Sequence, residues 1–329
     1  MENNGEGLLV VKDLTVEYTS DGRVIHAVNK VSFELQKGKT LGLVGETGAG
    51  KTTTAKTILK LLPEPPASIK GGEIFFEGRD LLKLSTSEMQ KIRGDKIAMI
   101  FQDPMTALNP TMRVGDQIAA GIKLHKGISA AAAKKEAAEM LEVVGIPEFR
   151  AREYPHQFSG GMKQRVVIAM ALACSPDLLL ADEPTTALDV TIQAQVLALI
   201  NDLRRRKNMS MLLITHDLSV VAETCDEVAI VYAGEIIEKG SLEEIFDHPA
   251  HPYTLGLFRS VPSVDERVDR LTPIPGAMPD PSDLPSGCKF SPRCPMADEH
   301  CRSAEFEMQH LSGTHYCRCC KSLQEYAGA

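Results

Sequence analysis

The segment Gly45–Thr53, which reads GETGAGKTT, constrains the fold of this chain more than any other feature. Its three glycines allow backbone conformations that other residues rarely adopt, so that several N–H groups can point at an anion. The apolar run Thr40–Val44 before it is typical of a buried strand, and the pattern after it predicts a helix from Lys51 to about Leu62, where prolines follow. A strand, a glycine-rich loop and a helix in this order predict a phosphate-binding site in an α/β fold.

The residue types in this phosphate loop predict how a nucleotide is held. We expect Lys51 to reach the β- and γ-phosphates, the Thr52 hydroxyl to ligate Mg²⁺ and Thr53 to bond the α-phosphate. The loop residues assigned to nucleotide binding are Gly45, Gly48, Ala49, Gly50, Lys51, Thr52 and Thr53. Tyr18, in a predicted strand, is a candidate for stacking on adenine, with simple packing in the sheet as the alternative.

A second group of candidates lies at the ends of predicted strands. The apolar run Asp177–Glu183 closes with two carboxylates, at the strand end where ligands bind in open α/β sheets. We expect Asp182 to hold Mg²⁺ through water and Glu183 to polarise an attacking water as the general base. Gln102 and His216 end two further predicted strands. Each alone is compatible with a structural role, but together beside Asp182 they are expected to reach the γ-phosphate, with Gln102 also a candidate Mg²⁺ ligand.

The segment Phe158–Arg165, FSGGMKQR, contains a second helix start suited to an anion. Ser159, Gly160 and Gly161 form a Ser-Gly-Gly turn at the beginning of a predicted helix. Two phosphate-binding helix starts in one chain indicate a nucleotide clamped between two protein surfaces.

Composition restricts the class of protein. The 329 residues, 43% of them hydrophobic, are enough for two domains or for one large domain with an appendage. A formal net charge of −8 argues against a broad nucleic-acid surface, and we expect no nucleic-acid partner. No apolar run approaches the roughly 18–20 residues that span a bilayer, and the N-terminus lacks a signal peptide's apolar stretch. We therefore expect a soluble, cytoplasmic protein.

The order of the predicted elements favours a parallel sheet between helices, with an inserted helical subdomain. Within the helical stretch, Ser129 is a predicted N-cap for a helix over Ala130–Val144. After about Pro262 the composition changes to prolines and then cysteines. We expect a nucleotide-binding domain over residues 1–262, with its helical subdomain at about 103–175, and a small Cys-rich C-terminal domain over 263–329.

Taken together, these residues resemble the nucleotide-binding domains of ABC transporters over roughly Leu8–Gly240. The motifs that carry the resemblance, in chain order, are GETGAGKTT, Gln102, Phe158–Met162, LLLADEP, Ala187–Asp189 and His216. Met162 stands where the family most often has Gln, a replacement that is common in the peptide-importer branch. The resemblance implies a P-loop ATPase fold with an antiparallel β subdomain and the inserted helical subdomain.

The resemblance also implies a mechanism and partners. ATP is expected to be sandwiched between two subunits, with Ser159, Gly160 and Gly161 of one facing the phosphate loop of the other. Asp189 would communicate across that interface, and Gln102 would link ATP to the helical subdomain. The implied partners are a second ABC ATPase in a heterodimer (a homodimer in isolation is the alternative), two membrane permease subunits and, indirectly, a solute-binding protein. The location implied is the cytoplasmic face of the membrane, peripherally attached.

Later segments resemble dipeptide and oligopeptide importers in particular. They are Asp247–Pro262, which contains HPYTLGLFRSVP, Ile274–Pro279, which reads IPGAMP, and Gly287–Pro295, which reads GCKFSPRCP. The implied function is therefore an energy-coupling ATPase for peptide import. Nickel or another small solute as cargo is an alternative within the same branch, and a redox-sensing ABC protein outside transport is another.

Six of the eight cysteines lie between Cys288 and Cys320. In a cytosolic protein such a cluster favours a metal site over disulfides. The candidate ligands are Cys288, Cys294, Cys301 and Cys319, with Cys317 or Cys320 as the alternative fourth ligand. Cys319 comes first because His315 precedes it by four residues, as in the family pattern.

The spacing of the first three cysteines lacks the short knuckles of structural zinc sites. We therefore expect an iron–sulfur cluster of the [4Fe–4S] type, with Zn²⁺ as the alternative. The neighbouring cations Lys289, Arg293 and Arg302 are expected to stabilise the thiolates.

Overall fold

A computed structural model of the chain describes residues 7–186, 189–260 and 273–321. The expectations for Ala187 and Leu188, and for a domain boundary at residue 262, lie outside these residues. The strands are β1 (Leu9–Ser20), β2 (Arg23–Leu35), β3 (Thr40–Val44), β4 (Ala67–Phe76), β5 (Arg79–Asp80), β6 (Ile97–Ile100), β7 (Leu178–Asp182), β8 (Ser210–Thr215), β9 (Glu227–Tyr232), β10 (Glu235–Ser241), β11 (Gln309–Ser312) and β12 (His315–Cys317). The α-helices are α1 (Lys51–Ile58), α2 (Thr86–Ile92), α3 (Pro104–Ala107), α4 (Val114–Lys126), α5 (Ala130–Val143), α6 (Gly160–Leu172), α7 (Val190–Lys207), α8 (Leu218–Thr224), α9 (Leu242–Asp247), α10 (Pro252–Arg259) and α11 (Glu299–Ser303).

The chain divides into two compact units. The first unit comprises the described residues of 1–35, 41–82 and 215–329, and the second comprises residues 36–40 and the described part of 83–214. Across the part of the chain that the structure describes, no helix has both the length and the apolar character that crossing a bilayer requires.

The first unit contains an antiparallel sheet with the strand order β2-β1-β4-β5. A second set of strands runs in the order β11-β12-β10-β9-β3, in which β3 and β9 are parallel and the other pairs are antiparallel. Strand β3 is buried along its whole length, as the apolar run predicted. Helix α1 ends at Ile58, earlier than the expected Leu62, because Lys60 adopts a left-handed backbone conformation (φ 49°) before the prolines are reached.

The second unit contains the parallel strands β8, β7 and β6, in that order. Each of these strands is fully buried, which explains their continuous apolar sequences. The helices α3 to α6 occupy residues 104–172 of this unit. The Ser129 side chain accepts a hydrogen bond of 3.2 Å from the Ala132 amide, which confirms the predicted N-cap of α5.

The described C-terminal region, residues 273–321, continues the sheet of the first unit, since β12 pairs with β10. A buried carboxylate, Glu238, holds this junction. It accepts hydrogen bonds from the backbone amides of Ala250 and His251 and from the Thr254 hydroxyl, and it lies 2.8 Å from His315 Nε2. A carboxylate with no exposed surface is tolerated in a core only when its oxygens are satisfied in this way.

Removing the Glu238 carboxylate should therefore destabilise the protein strongly. Glu238→Ala leaves several buried donors without an acceptor, and breaking a buried polar network of this kind costs about 3–5 kcal/mol. At about 2–4 °C per kcal/mol, we expect the melting temperature to fall by about 6 °C or more. Glu223→Ala, on an exposed position of α8, is the matched control and should change the melting temperature little. Equal melting temperatures for the two variants would contradict this role.

Candidate functional site

The phosphate loop connects β3 to the first turn of α1. Gly50 is the N-cap of α1 and adopts a left-handed conformation with φ 97°. Glycine carries no capping side chain, and no side-chain cap forms at this helix start. The N-terminus of a helix also carries a partial positive charge. A helix start of this kind after a glycine-rich loop is typical of phosphate-binding sites.

Two glycines of the loop are also required because neighbouring backbone lies very close to them. A Cβ added to Gly45 would overlap the carbonyl oxygen of Val231 in β9, and one added to Gly50 would overlap the carbonyl oxygen of Ala27 in β2. Access of an anion to the backbone amides is one reason for glycine in such a loop. The structure adds that two strands approach the loop too closely for any other residue.

Lys51 and Tyr18 both contact the phosphate loop. Lys51 is buried, and its Nζ donates to the carbonyl oxygens of Gly45 at 2.7 Å and Glu46 at 2.9 Å. The hydroxyl of the half-buried Tyr18 lies 3.4 Å from Thr53 Oγ1. Tyr18 therefore stands beside the first turn of α1, on which the phosphates of a nucleotide are expected.

In the second unit, Glu183 and Gln102 are in direct contact. Gln102 Nε2 and Thr186 Oγ1 each donate a 2.9 Å hydrogen bond to Glu183 Oε2. The predicted neighbours thus lie together, whereas no feature of the sequence analysis pointed to Thr186. Glu183 is 9% exposed and directly follows Asp182, the 2% exposed last residue of β7.

The backbone at Glu183 is strained. Its φ of 46° is a left-handed conformation, which a non-glycine residue adopts at a cost of about 1–2 kcal/mol. The amide of Glu183 donates a 2.8 Å hydrogen bond to the Ile214 carbonyl of β8, which holds the residue in this conformation. Residues in such conformations are concentrated at functional sites, where the strain orients a side chain.

His216, in the first unit, follows β8 directly and is exposed. The next residue, Asp217, is the N-cap of α8 and accepts hydrogen bonds from the amides of Ser219 and Val220. His216 is thus placed at a strand end, as the sequence predicted.

The second predicted helix start is well formed and exposed. Ser159 is the N-cap of α6 and accepts from the Met162 amide at 3.4 Å, and both Ser159 and Gly160 are exposed. Gly161 packs so closely on Ile192 of α7 that a Cβ would lie 2.7 Å from that side chain. Asp189 caps α7 by accepting from the Ile192 amide at 3.0 Å. Two helix starts are therefore presented on the surface of the second unit.

The phosphate loop has further contacts that the sequence analysis missed. The Glu46 amide donates a 3.1 Å hydrogen bond to the Tyr253 hydroxyl, and the Glu46 carboxylate pairs with Arg293 at 3.0 Å. The expectation that Arg293 stabilises cysteine thiolates is therefore wrong, because its guanidinium is directed to Glu46. Tyr253 lies in the motif HPYTLGLF and Arg293 in FSPRCP, but the partners of these side chains cannot be predicted from either motif.

Five cysteines line one small cavity in the first unit. They are Cys288, Cys294, Cys301, Cys319 and Cys320, whereas Cys317 is not among its lining residues. The sulfurs of Cys301 and Cys320 are 3.6 Å apart. Within the described residues, no three His, Cys, Asp or Glu side chains are arranged to hold a single metal ion.

The other two cations expected to act on these thiols are also directed elsewhere. Lys289 donates to the Pro285 carbonyl, and Arg302 lies 3.8 Å from Glu299. Burial raises the pKa of the Cys288, Cys294 and Cys319 thiols, which is opposite to the effect expected from cationic neighbours.

Two protein families match this chain. A family model described as ABC transporter matches residues 28–186, and one described as oligopeptide/dipeptide transporter, C-terminal region, matches residues 237–301. The oligopeptide transport ATP-binding protein OppD of Bacillus subtilis (strain 168) is 53% identical over 312 residues, which are 94% of this chain and 87% of that protein. The dipeptide transport ATP-binding protein DppD of the same strain is 53% identical over 292 residues, 88% of this chain and 87% of that protein.

A solved structure matches as well. It is the dimeric post-hydrolysis state of the ATP-binding cassette MJ0796 bound to ADP and Pi, with a TM-score of 0.64 and 28% identity. The match covers 71% of this chain and 98% of that one. The P-loop α/β architecture expected from the motifs is thereby confirmed.

The close approach of backbone at Gly45 predicts that this position accepts no side chain. Gly45→Ala should displace the loop from Val231, lower the melting temperature and remove measurable nucleotide binding. Gly71→Ala is the matched control, because a Cβ on Gly71 meets no atom within 4 Å. Thermal unfolding and titration with Mg·ATP measure both effects. Wild-type affinity in Gly45→Ala would refute this account of the loop.

Proposed function

Since the chain belongs to the ABC-transporter family of ATP-binding proteins, in the group with the oligopeptide/dipeptide-transporter C-terminal region, we propose that it drives peptide import. It would hydrolyse ATP and pass the resulting motion to separate permease subunits. Relatives at 53% identity are named for oligopeptide and dipeptide transport, which favours peptides over nickel as the cargo.

The main support for ATP hydrolysis is the buried carboxylate of Glu183, which hydrogen bonds from Gln102 and Thr186 orient. We assign Glu183 as the general base that takes the proton of an attacking water. His216 would contact the γ-phosphate from the end of β8, and Tyr18 would stack on adenine. Lys51 and the amides of the phosphate loop would hold the phosphates.

Mg²⁺ is the expected cofactor. Thr52, Asp182 and Gln102 offer a hydroxyl, a carboxylate and an amide oxygen, which are the hard oxygen ligands that this ion prefers. Gln102 uses its amide nitrogen on Glu183, so its amide oxygen is the atom that would face the metal. The ion would neutralise charge on the phosphate oxygens.

The assembly we propose contains two ATPase subunits. The exposed start of α6, at Ser159, Gly160 and Gly161, would contact the ATP of the partner subunit, and Asp189 would lie at the same interface. The structural relative MJ0796 is dimeric with ADP and Pi bound, which supports such an arrangement. We propose a heterodimer with a second ABC ATPase, bound peripherally to two permease subunits at the cytoplasmic face of the membrane and supplied by a solute-binding protein.

Replacing the general base should separate binding from hydrolysis. In Glu183→Gln we expect turnover to fall about 10²–10⁴-fold, while Mg·ATP still binds and holds a stable dimer. Phosphate release, ATP titration and size-exclusion chromatography with ATP measure these effects. Glu139→Gln, which is exposed on α5, is the control and should keep normal turnover. Wild-type turnover in Glu183→Gln would remove the assignment of the base.

For the C-terminal region we propose a [4Fe–4S] cluster bound by Cys288, Cys294, Cys301 and Cys319. The support is the cavity that these four side chains share with Cys320. Four thiolates are the ligand set of a [4Fe–4S] cluster, whereas the spacing of Cys288, Cys294 and Cys301 lacks the short knuckles that are usual in structural zinc sites. Cys320 is the alternative fourth ligand, and Cys317 is disfavoured because it does not line the cavity.

Elemental analysis of protein purified without oxygen tests this proposal. We expect stoichiometric iron and sulfide, with visible absorbance from thiolate-to-iron charge transfer. Cys294→Ser should lose that absorbance, and Cys174→Ser, which alters a half-buried cysteine of the second unit, should keep it. Stoichiometric zinc without iron would instead establish the alternative metal.

A further inference from the structure

Arg293 of the C-terminal region is fixed against the phosphate loop by three partners. Its Nη1 lies 3.0 and 3.1 Å from the two carboxylate oxygens of Glu46, the second residue of the loop. Its Nε donates a 2.9 Å hydrogen bond to the carbonyl oxygen of Pro275, and Nη1 lies 3.4 Å from the Tyr232 hydroxyl. The Arg293 side chain is only 6% exposed, so its charge is little screened by solvent.

The position of Glu46 makes this pair important for an anionic ligand. A carboxylate within a loop that receives a triphosphate would repel it. The Glu46 side chain is 31% exposed, so solvent screens its negative charge only in part. The guanidinium of Arg293 compensates this charge directly. A loop of this kind can therefore contain an acidic residue without losing its attraction for phosphate.

The same residue is held through its backbone. The Glu46 amide donates to Tyr253 of α10, and the Glu46 carbonyl accepts from Lys51 Nζ. Arg293 adds the contact to the side chain. The amide, the carbonyl and the carboxylate of Glu46 are therefore each held by a hydrogen bond. The conformation of the loop thus depends on residues that follow the ATPase core in the sequence.

We propose that Arg293 is a positioning residue for nucleotide binding, which acts through Glu46 by neutralising its charge and fixing its place in the phosphate loop. The inference rests on the proposed binding of ATP by this loop. It makes the C-terminal region a determinant of nucleotide affinity.

The test is a double-mutant cycle on the full chain, with Mg·ATP as the probe. Arg293→Gln should raise the Kd for ATP about tenfold, a change of about 1.4 kcal/mol, and should affect KM more than kcat. The deficit should shrink at high salt, because it arises from an uncompensated charge. In Arg293→Gln with Glu46→Gln, the repelling carboxylate is absent, and affinity should return to within about threefold of the wild type.

Controls separate this role from folding and from the proposed function. Arg302→Gln, in which an exposed arginine of the same region is replaced, should keep the wild-type affinity. If Arg293→Gln does not fold, Arg293→Lys with a retained charge should bind ATP more tightly than Arg293→Met. Unchanged affinity in Arg293→Gln, or a double variant as weak as the single one, would overturn the inference. Failure of the wild type to bind ATP would instead refute the proposed function.

Discussion

The structure around the candidate site depends on how closely backbone packs against the phosphate loop. The carbonyl oxygens of Val231 and Ala27 occupy the space where side chains of Gly45 and Gly50 would be. A side chain at either position would displace the loop from the two strands, β9 and β2, that pack against it.

The C-terminal region belongs to the same unit as the loop. Phe290 and Arg293 lie between Cys288 and Cys294, and Phe290 packs on the rings of Tyr232 and Tyr253 at 5.3 and 5.4 Å. The short segment that carries two of the proposed cluster ligands therefore also carries the contacts to the phosphate loop. A region too poor in apolar residues to form its own core is stabilised by packing on the ATPase body.

Local patterns predicted the strand–loop–helix element and the placement of Gln102 at a strand end beside Asp182, because side chains at the ends of adjacent parallel strands meet at one edge. The pairing of Arg293 with Glu46 was not predictable in this way. Contacts between distant segments leave no periodic signal, and a cation near cysteines in sequence need not face them in space. The Glu238 network was missed for the same reason, since its donors come from separate turns and strands.

Titration calorimetry of Mg·ATP on the wild type and on Lys51→Ala tests the central claim most directly, namely that the phosphate loop is the nucleotide site. Lys51 lies inside the loop on the carbonyls of Gly45 and Glu46, where its ammonium would meet the phosphates of ATP. We predict saturable binding by the wild type and none detectable in Lys51→Ala at the same protein concentration. Equal affinities in the two proteins would contradict the account.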